Sequence, residues 1–146
     1  MRLSFAFTMI LGIFIMACNE NNSQANIQSV VLNTFNLEFK QVEDVNWVKM
    51  GDNYEVEFEI DDVEHTALIS AAGKLIKYKK EISGSNLPEP VKSKIREFAA
   101  PKIGDLDLLV VGTEQYYQVE LDGRLTDSYI IFNEMGEEIE DVIYFD

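Results

Sequence analysis

The segment 54–61, YEVEFEID, alternates without interruption between apolar and acidic side chains. In an extended chain its apolar members all point to one side: Tyr54, Val56, Phe58 and Ile60. Its four carboxylates would then point to the other side. This period of two is typical of an antiparallel strand with one buried face and one solvated face, so the chain must supply an apolar layer to cover it.

Further strands are predicted on both sides of this segment. Residues 44–49 alternate around Trp47, and GDN at 51–53 is a turn sequence. Residues 64–70 return along the strand, AAGK turns at Gly73, and 75–82 add another strand. In the second half of the chain, strands are predicted for YYQVELDG, SYIIF and EIEDVIYF.

Two helices are predicted, one before each set of strands. Residues 26–40 place apolar side chains at spacings close to 3.6. Pro88 and Pro90 lie where a second helix begins, because the first turn tolerates a missing N–H, and Pro101 ends it.

The two halves of the chain align without a gap at a constant shift of 63 residues. The matched pairs include Phe35 with Phe98, Tyr54 with Tyr117, Val56 with Val119, and Gly73 with Gly136. We therefore expect two repeats, 27–83 and 90–146, within one fused domain. The expected fold class is α+β, a tandem repeat of one helix followed by a three- to four-stranded antiparallel sheet. About eight strands are expected, with both helices packed on one sheet face.

These motifs resemble the PepSY-like, beta-lactamase-inhibitor-like family of secreted bacterial proteins. The resemblance rests on VNWVKMGDNYEVEFEIDD, SAAGKLIKYKKEI, the linker SGSNLPEPVKSKI and the later YYQVELDG, and it covers about residues 30–145. Ser70 replaces the commoner aspartate of the family's turn. The resemblance implies a helix-plus-sheet architecture and no catalytic residues, and inhibition of a beta-lactamase does not follow from it.

The N-terminal segment is expected to direct the chain to the bacterial cell envelope. Residues 1–17 combine Arg2, an apolar run and a small residue, as a secretory signal peptide does. IMAC resembles a lipoprotein lipobox, which implies acylation of Cys18, the one cysteine of the chain. Acyl chains on Cys18 would anchor the protein to a membrane, and residues 18–26 would form a polar tether.

The chain carries a net charge of −14, with 26 acidic and 12 basic side chains. A negative field of this size argues against a nucleic-acid partner and against broad adhesion to anionic lipid surfaces. It is compatible with a cationic protein or peptide partner, with divalent cations, or with solubility alone.

No catalytic constellation and no cofactor-binding motif is recognised in the sequence, and we expect a non-enzyme without cofactors. His65 is expected to be a solvated turn residue. Asp61, Asp62 and Glu64 are weak candidates for a metal site, because no calcium-loop spacing accompanies them. Tyr116 and Tyr129 are a candidate aromatic contact patch, whereas Trp47 and Tyr54 lie on the apolar phase of their strands.

Three functions remain open at this point. The first is a lipid-anchored, non-catalytic envelope binding module, on the periplasmic or the cell-surface side. The second is an inhibitor or regulator of a secreted hydrolase, and the third is a divalent-cation-binding envelope protein.

Overall fold

The computed structural model describes residues 27–98, 102–123 and 126–146. The predicted signal peptide, Cys18 and the tether lie outside these residues. Two α-helices and seven strands form the described part, in the order α1 Ser29–Glu38, β1 Glu43–Met50, β2 Asn53–Ile60, β3 Val63–Ser70, β4 Leu75–Glu81, α2 Glu89–Glu97, β5 Lys102–Val111, β6 Glu114–Asp122 and β7 Ser128–Phe132. Neither helix of this part is long and apolar enough to cross a membrane.

All seven strands form one antiparallel sheet in which neighbours in sequence are neighbours in space. The predicted tandem repeat of a helix and a short sheet is therefore wrong. The reason is the pairing of β4 with β5, which runs from Lys77 opposite Val111 to Glu81 opposite Asp107. This ladder continues the first four strands into the last three and leaves no boundary between two sheets.

Both helices cover the same face of this sheet, which we call the helix face. The register places Phe58, Ala67 and Tyr78 on it, and their phase continues through β5 to β7. The side chains of α1 contact the strand residues of the first apolar cluster: Trp47, Tyr54, Val56, Phe58, Ala67 and Ile69. Phe35 anchors this contact, with its ring centroid 5.0 Å from that of Phe58 in an edge-on arrangement.

The second helix covers the other half of the helix face. Its buried residues, Val91 and Ile95, pack on the apolar positions of β5, β6 and β7: Leu106, Val119, Leu121, Ile130 and Phe132. Glu89 in its first turn and Lys94 and Arg96 in its last turn match the sign of the helix dipole.

The opposite side of the sheet, which we call the second face, is partly covered by the segment 139–146. The pattern of EIEDVIYF predicts a strand, but after an isolated bridge between Phe132 and Glu138 no further strand is formed. The segment instead crosses the second face and packs on Leu109 and Ile131. The predicted strand is wrong, because the segment instead removes the apolar side chains of Leu109, Ile131 and Phe145 from water together.

Gln118 fixes that segment. Its side-chain amide donates to the Phe145 carbonyl oxygen at 2.9 Å, and its Oε1 accepts from the Phe145 N–H at 2.7 Å. Gln118 is fully buried, so these bonds satisfy polar groups that water does not reach. The ring of Phe145 lies 4.1 Å beneath the Lys77 ammonium, a cation–π contact.

The outer strand β1 carries a bulge. The register shifts between Glu43 and Asn46, and Asp44 adopts a left-handed φ of 49°. Beyond the bulge, Trp47 is buried against Phe35, while Val48 and Met50 are exposed on the second face.

The helix α1 is seated on a glycine turn. Thr34 Oγ1 donates to the Gly73 carbonyl oxygen at 2.6 Å, and a Cβ at Gly73 would lie 2.5 Å from Val30 Cγ2. Gly136 is packed in the same way, since a Cβ there would lie 2.7 Å from the Pro90 carbonyl oxygen. Both glycines have φ near 77°, a region that other residues rarely adopt.

We expect Gly73→Ala to lower the free energy of unfolding by about 3 kcal/mol, from left-handed strain together with overpacking against Val30. Gly51→Ala is the matched control, because Gly51 has φ 61° but no atom within 4 Å of an added Cβ. The control should lose only about 1 kcal/mol. Urea unfolding of both variants measures the difference, and equal losses would show that α1 does not depend on close approach at Gly73.

Candidate functional site

The acidic residues of β2 and β3 gather on the second face, where 139–146 does not cover the sheet. Glu55, Glu57 and Glu59 alternate with the buried side chains of β2, and Glu64 lies opposite Glu59 on β3. The next strand, β4, brings Lys77 and Lys79 into the same face. The period-two pattern of the sequence thus produces a ridge of carboxylates beside a ridge of amines.

Where these ridges meet β5, the second face has a depression of about 230 Å³, which we call the acidic hollow. It is lined by six acidic residues, one lysine and one threonine: Glu57, Glu64, Glu81, Asp105, Asp107, Asp146, Lys79 and Thr66. The hollow therefore combines carboxylates from β2, β3, β4 and β5 with the segment that crosses the second face.

One lysine partly balances this charge. Lys79 Nζ lies 3.4 Å from an Asp107 carboxylate oxygen, and the Asp107 side chain is 8% exposed. The same Asp107 oxygen lies 3.4 Å from Gln118 Nε2, at the long limit of a hydrogen bond. Lys79 is the one basic residue against six acids in the lining, so the hollow has an excess of negative charge.

Burial and nearby charges shift the pKa values of two residues beside the hollow, Glu55 and Lys77. Burial first, and then the negative charge of Glu57, raises the pKa of Glu55 above its ordinary value, although Lys77 and Lys79 act in the opposite direction. Burial also lowers the pKa of Lys77. Both shifts show that charged groups at this part of the second face lose hydration that their neighbours do not fully replace.

The raised pKa of Glu55 predicts a pH-dependent penalty. Because the ionised form is disfavoured in the folded state, stability falls as pH rises from the ordinary value of 4.5 through the raised value. We expect Glu55→Gln to raise the melting temperature at pH 7 and to lose this advantage near pH 4. Glu114→Gln, at the exposed start of β6, controls for the loss of one negative charge.

Thermal unfolding of both variants and the wild type between pH 4 and pH 8 checks this prediction. An equal gain from Glu114→Gln would mean that general charge repulsion, and not the local environment of Glu55, is responsible.

The sequence-predicted metal candidates are not brought together. Asp61 and Asp62 occupy the β2–β3 turn with left-handed φ angles of 53° and 60°, and Glu64 lies on β3. Among the described residues, a different group has carboxylate oxygens within 4.8 Å of one another: Glu120, Asp122 and Asp127. Lys102 pairs with Asp122 there, which supplies a cation from the protein itself.

The two tyrosines of the predicted contact patch share the second face but lie apart. Tyr129 is 54% exposed and packs edge-on against Tyr144, with ring centroids 4.9 Å apart. Tyr116 is half-buried beside Leu109 and packs against the cluster that Phe145 completes. Trp47 and Tyr54 are buried in the first apolar cluster, as their strand phase predicts.

His65 lies on β3 rather than in the turn. Its Nδ1–H donates to the Val63 carbonyl oxygen at 2.8 Å, and its ring stacks on Phe58 with centroids 5.3 Å apart. Since Phe58 is on the helix face, His65 is on the side of the sheet opposite the acidic hollow. The hollow carboxylates of β2, β3 and β5 therefore lie on the face opposite the one histidine of the chain.

Sequence reasoning missed several residues of the hollow, namely Lys79, Asp105, Asp107 and Asp146. The alternation of β2 and β3 is a signal for Glu57 and Glu64, because each follows an apolar residue that points to the other face of its strand. The position of Asp107 depends on which strand pairs with β4. The sequence of neither strand indicates that pairing.

No family model matches the chain, and no curated protein matches it in sequence. Solved structures do share its fold. An inferred periplasmic protein from Bacteroides eggerthii superposes with a TM-score of 0.71 at 10% identity, covering 77% of this chain and 86% of that one. A BLIP-like protein from Bacteroides fragilis has a TM-score of 0.67 at 16% identity, covering 77% and 83%.

A DUF2874 family protein from Bacteroides uniformis has a TM-score of 0.71 at 13% identity, covering 77% of this chain and 86% of that one. At these identities the similarity establishes the fold alone. The described part of the chain thus has the fold of BLIP-like and DUF2874 proteins of Bacteroides.

Proposed function

We propose that the protein is a non-catalytic, lipid-anchored binding module of the bacterial cell envelope. Its acidic hollow would receive a cationic side chain of a protein or peptide partner. The observation that carries this proposal is the lining of the hollow, where six acidic residues surround Lys79 on an uncovered part of the sheet.

The electrostatics favour a cationic ligand. Carboxylates held together by backbone geometry repel one another. Beside the hollow, burial first and then the negative charge of Glu57 raise the pKa of Glu55. A lysine or arginine side chain entering the hollow would lower this repulsion and form charge-assisted hydrogen bonds. The binding energy would then come from relief of an unfavourable charge distribution that the folded protein already contains.

A non-catalytic role is supported by the separation of the titratable groups. His65 and the acidic hollow occupy opposite faces of the sheet, so no acid–base pair involving the histidine forms at the hollow. The structural neighbours are BLIP-like, DUF2874 and inferred periplasmic proteins, which also supports an envelope location.

The binding proposal predicts a site-specific effect of charge removal. Replacing Glu57 and Glu64 by Gln should weaken binding of a decalysine peptide at least about tenfold, as two charge-assisted contacts are lost. The matched control replaces Glu38 and Glu134, both exposed outside the hollow, by Gln and has the same net charge. Calorimetric titration at 0.15 M salt compares the two double variants.

Equal weakening in both double variants would show that only the overall charge attracts the peptide and would contradict the proposal. A parallel titration with calcium chloride alone addresses the cation-binding alternative. A melting temperature raised by calcium in the wild type, but not in Glu57→Gln/Glu64→Gln, would favour that alternative over a protein partner.

The lipid anchor lies outside the described residues and rests on the lipobox-like IMAC. We expect the wild-type protein to fractionate with membranes and to carry a diacylglycerol mass on Cys18. Cys18→Ser should be soluble or remain an unprocessed precursor, because no thiol is available for acylation. Mass spectrometry of the N-terminal peptide separates these cases, and a wild-type protein without acyl mass would contradict the anchor.

Regulation or inhibition of a secreted hydrolase is the alternative that the BLIP-like neighbour supports through its shared fold. In that case the cationic group would belong to an enzyme. A reduction of the activity of a co-purifying hydrolase by wild type, but not by Glu57→Gln/Glu64→Gln, would distinguish inhibition from simple binding.

A further inference from the structure

The helix face contains a groove of about 700 Å³ between the two apolar clusters. Its floor follows a single row across four strands, in which His65 lies opposite Lys80, Lys80 opposite Leu108, and Leu108 opposite Tyr117. The volume is within the range of small-molecule sites in proteins, about 300–1,000 Å³.

The groove is amphipathic along this row. Apolar side chains from β2, β3 and the segment after β4 contribute walls: Ile60, Val63 and Ile82. Leu108 and Tyr117 are half-buried and supply an apolar floor on the side of α2. His65 and Lys80 supply the polar end on the side of α1, so one end suits a charged group and the other suits a short hydrocarbon.

Lys80 is half-buried and carries the positive charge of this end. The ion pairs formed among the described residues involve Lys79, Lys94, Arg96 and Lys102, and they do not include Lys80. In a chain with 26 acidic side chains, a half-buried lysine outside these pairs is a site where an external anion can compensate the charge.

His65 is positioned to contact the same external anion as Lys80. The Val63 carbonyl oxygen accepts from Nδ1–H at 2.8 Å, which leaves Nε2 as the remaining polar atom of the ring. Stacking on Phe58 fixes the ring plane, with 21° between the two rings. Nε2 is therefore the ring atom that can contact a bound anion in the groove.

The two acidic residues of the lining do not cancel this charge at the floor. Asp61 is exposed in the β2–β3 turn, where water solvates its carboxylate. Glu81 is exposed and lies opposite Asp107, so its side chain belongs to the second face and also lines the acidic hollow. Lys80 and His65 are both less exposed than these rim carboxylates.

We propose that this groove binds a small organic monocarboxylate, with its charged end beside Lys80 and His65 and its short apolar chain on Leu108 and Tyr117. One ammonium and one imidazole match a single negative charge, whereas multiply charged phosphate groups usually require arginine forks or several backbone N–H groups. The site is on the opposite face from the acidic hollow, and the two can be tested independently.

The test uses sodium octanoate, at concentrations below its micelle formation, with the full chain. Because His65 is the one histidine, its ring signals in a proton–nitrogen NMR spectrum are assigned without ambiguity. Octanoate should shift these signals saturably, and Lys80→Gln should weaken its affinity about tenfold through loss of a charge-assisted hydrogen bond. Lys74→Gln, in the exposed turn before β4, has the same charge change and should bind within about twofold of wild type.

A second variant keeps the test decisive if Lys80→Gln does not fold. Asn86 lines the groove, and its Oδ1 accepts from the Ser83 N–H at 3.2 Å and from the Ser83 hydroxyl at 2.7 Å. Asn86→Asp keeps these acceptor positions but adds a negative charge to the wall, so it should also weaken octanoate binding. Lys80→Arg should retain binding, because the positive charge remains.

Comparison ligands identify the chemistry that is recognised. Octylammonium and 1-octanol carry the same chain without a carboxylate, and inorganic phosphate carries the charge without the chain. The proposal is overturned if any of the three shifts the His65 signals with the affinity of octanoate, if octanoate shifts none, or if Lys80→Gln and Asn86→Asp both bind like wild type.

Discussion

The pairing of β4 with β5 is the interaction on which the rest of the structure depends. Five residue pairs, from Lys77 opposite Val111 to Glu81 opposite Asp107, join strands that are separated in the chain by α2. Across this junction the Lys79–Asp107 ion pair is mostly shielded from solvent. The acidic hollow takes Glu57 and Glu64 from one side of the junction and Asp105 and Asp107 from the other, and the groove on the helix face likewise spans it.

The two faces of this sheet therefore differ in chemistry although they share the same strands. On β4, Lys79 points toward the acidic hollow and its neighbour Lys80 toward the groove, because successive residues of a strand face opposite sides. The net charge of −14 belongs to the whole chain and does not describe the local charge of either face. Strand phase, and not composition, decides whether a lysine meets carboxylates or is available to an external anion.

Local features of the fold could be predicted from the sequence, whereas its long-range pairing could not. Alternation identified β2 and its buried face, and the prolines around 88–101 marked α2. Each of these signals lies within a single helix or strand, so it can be recognised without knowing which element packs or pairs with it. The joining of β4 to β5 involves residues about 30 apart in the chain, and nothing in either strand excludes two separate sheets. The predicted tandem repeat of two sheets is wrong because it does not include the pairing of β4 with β5.

The candidate site shows the same limit. The carboxylates of β2 were visible as one solvated row, but the hollow also needs Asp107, whose place follows from the pairing with Glu81. EIEDVIYF has the composition of a strand, and its path is explained by apolar residues of the second face, such as Ile131, that it buries. His65 is expected in the DDVEH turn although the predicted strand 64–70 already includes it, and the structure places it on β3.

The bulge in β1 has a consequence for the solution behaviour of the protein. An outer strand offers its unpaired N–H and C=O groups to any other extended chain, which is a common start of aggregation. At Asp44 the left-handed backbone interrupts the regular spacing of the unpaired N–H and C=O groups. A strand from another chain therefore finds a regular edge only from Asn46 to Met50. Exposed Lys49 within that stretch adds a charge that is costly to bury in a new interface. The β1 edge therefore offers a neighbouring chain only five regularly spaced residues with which to extend the sheet.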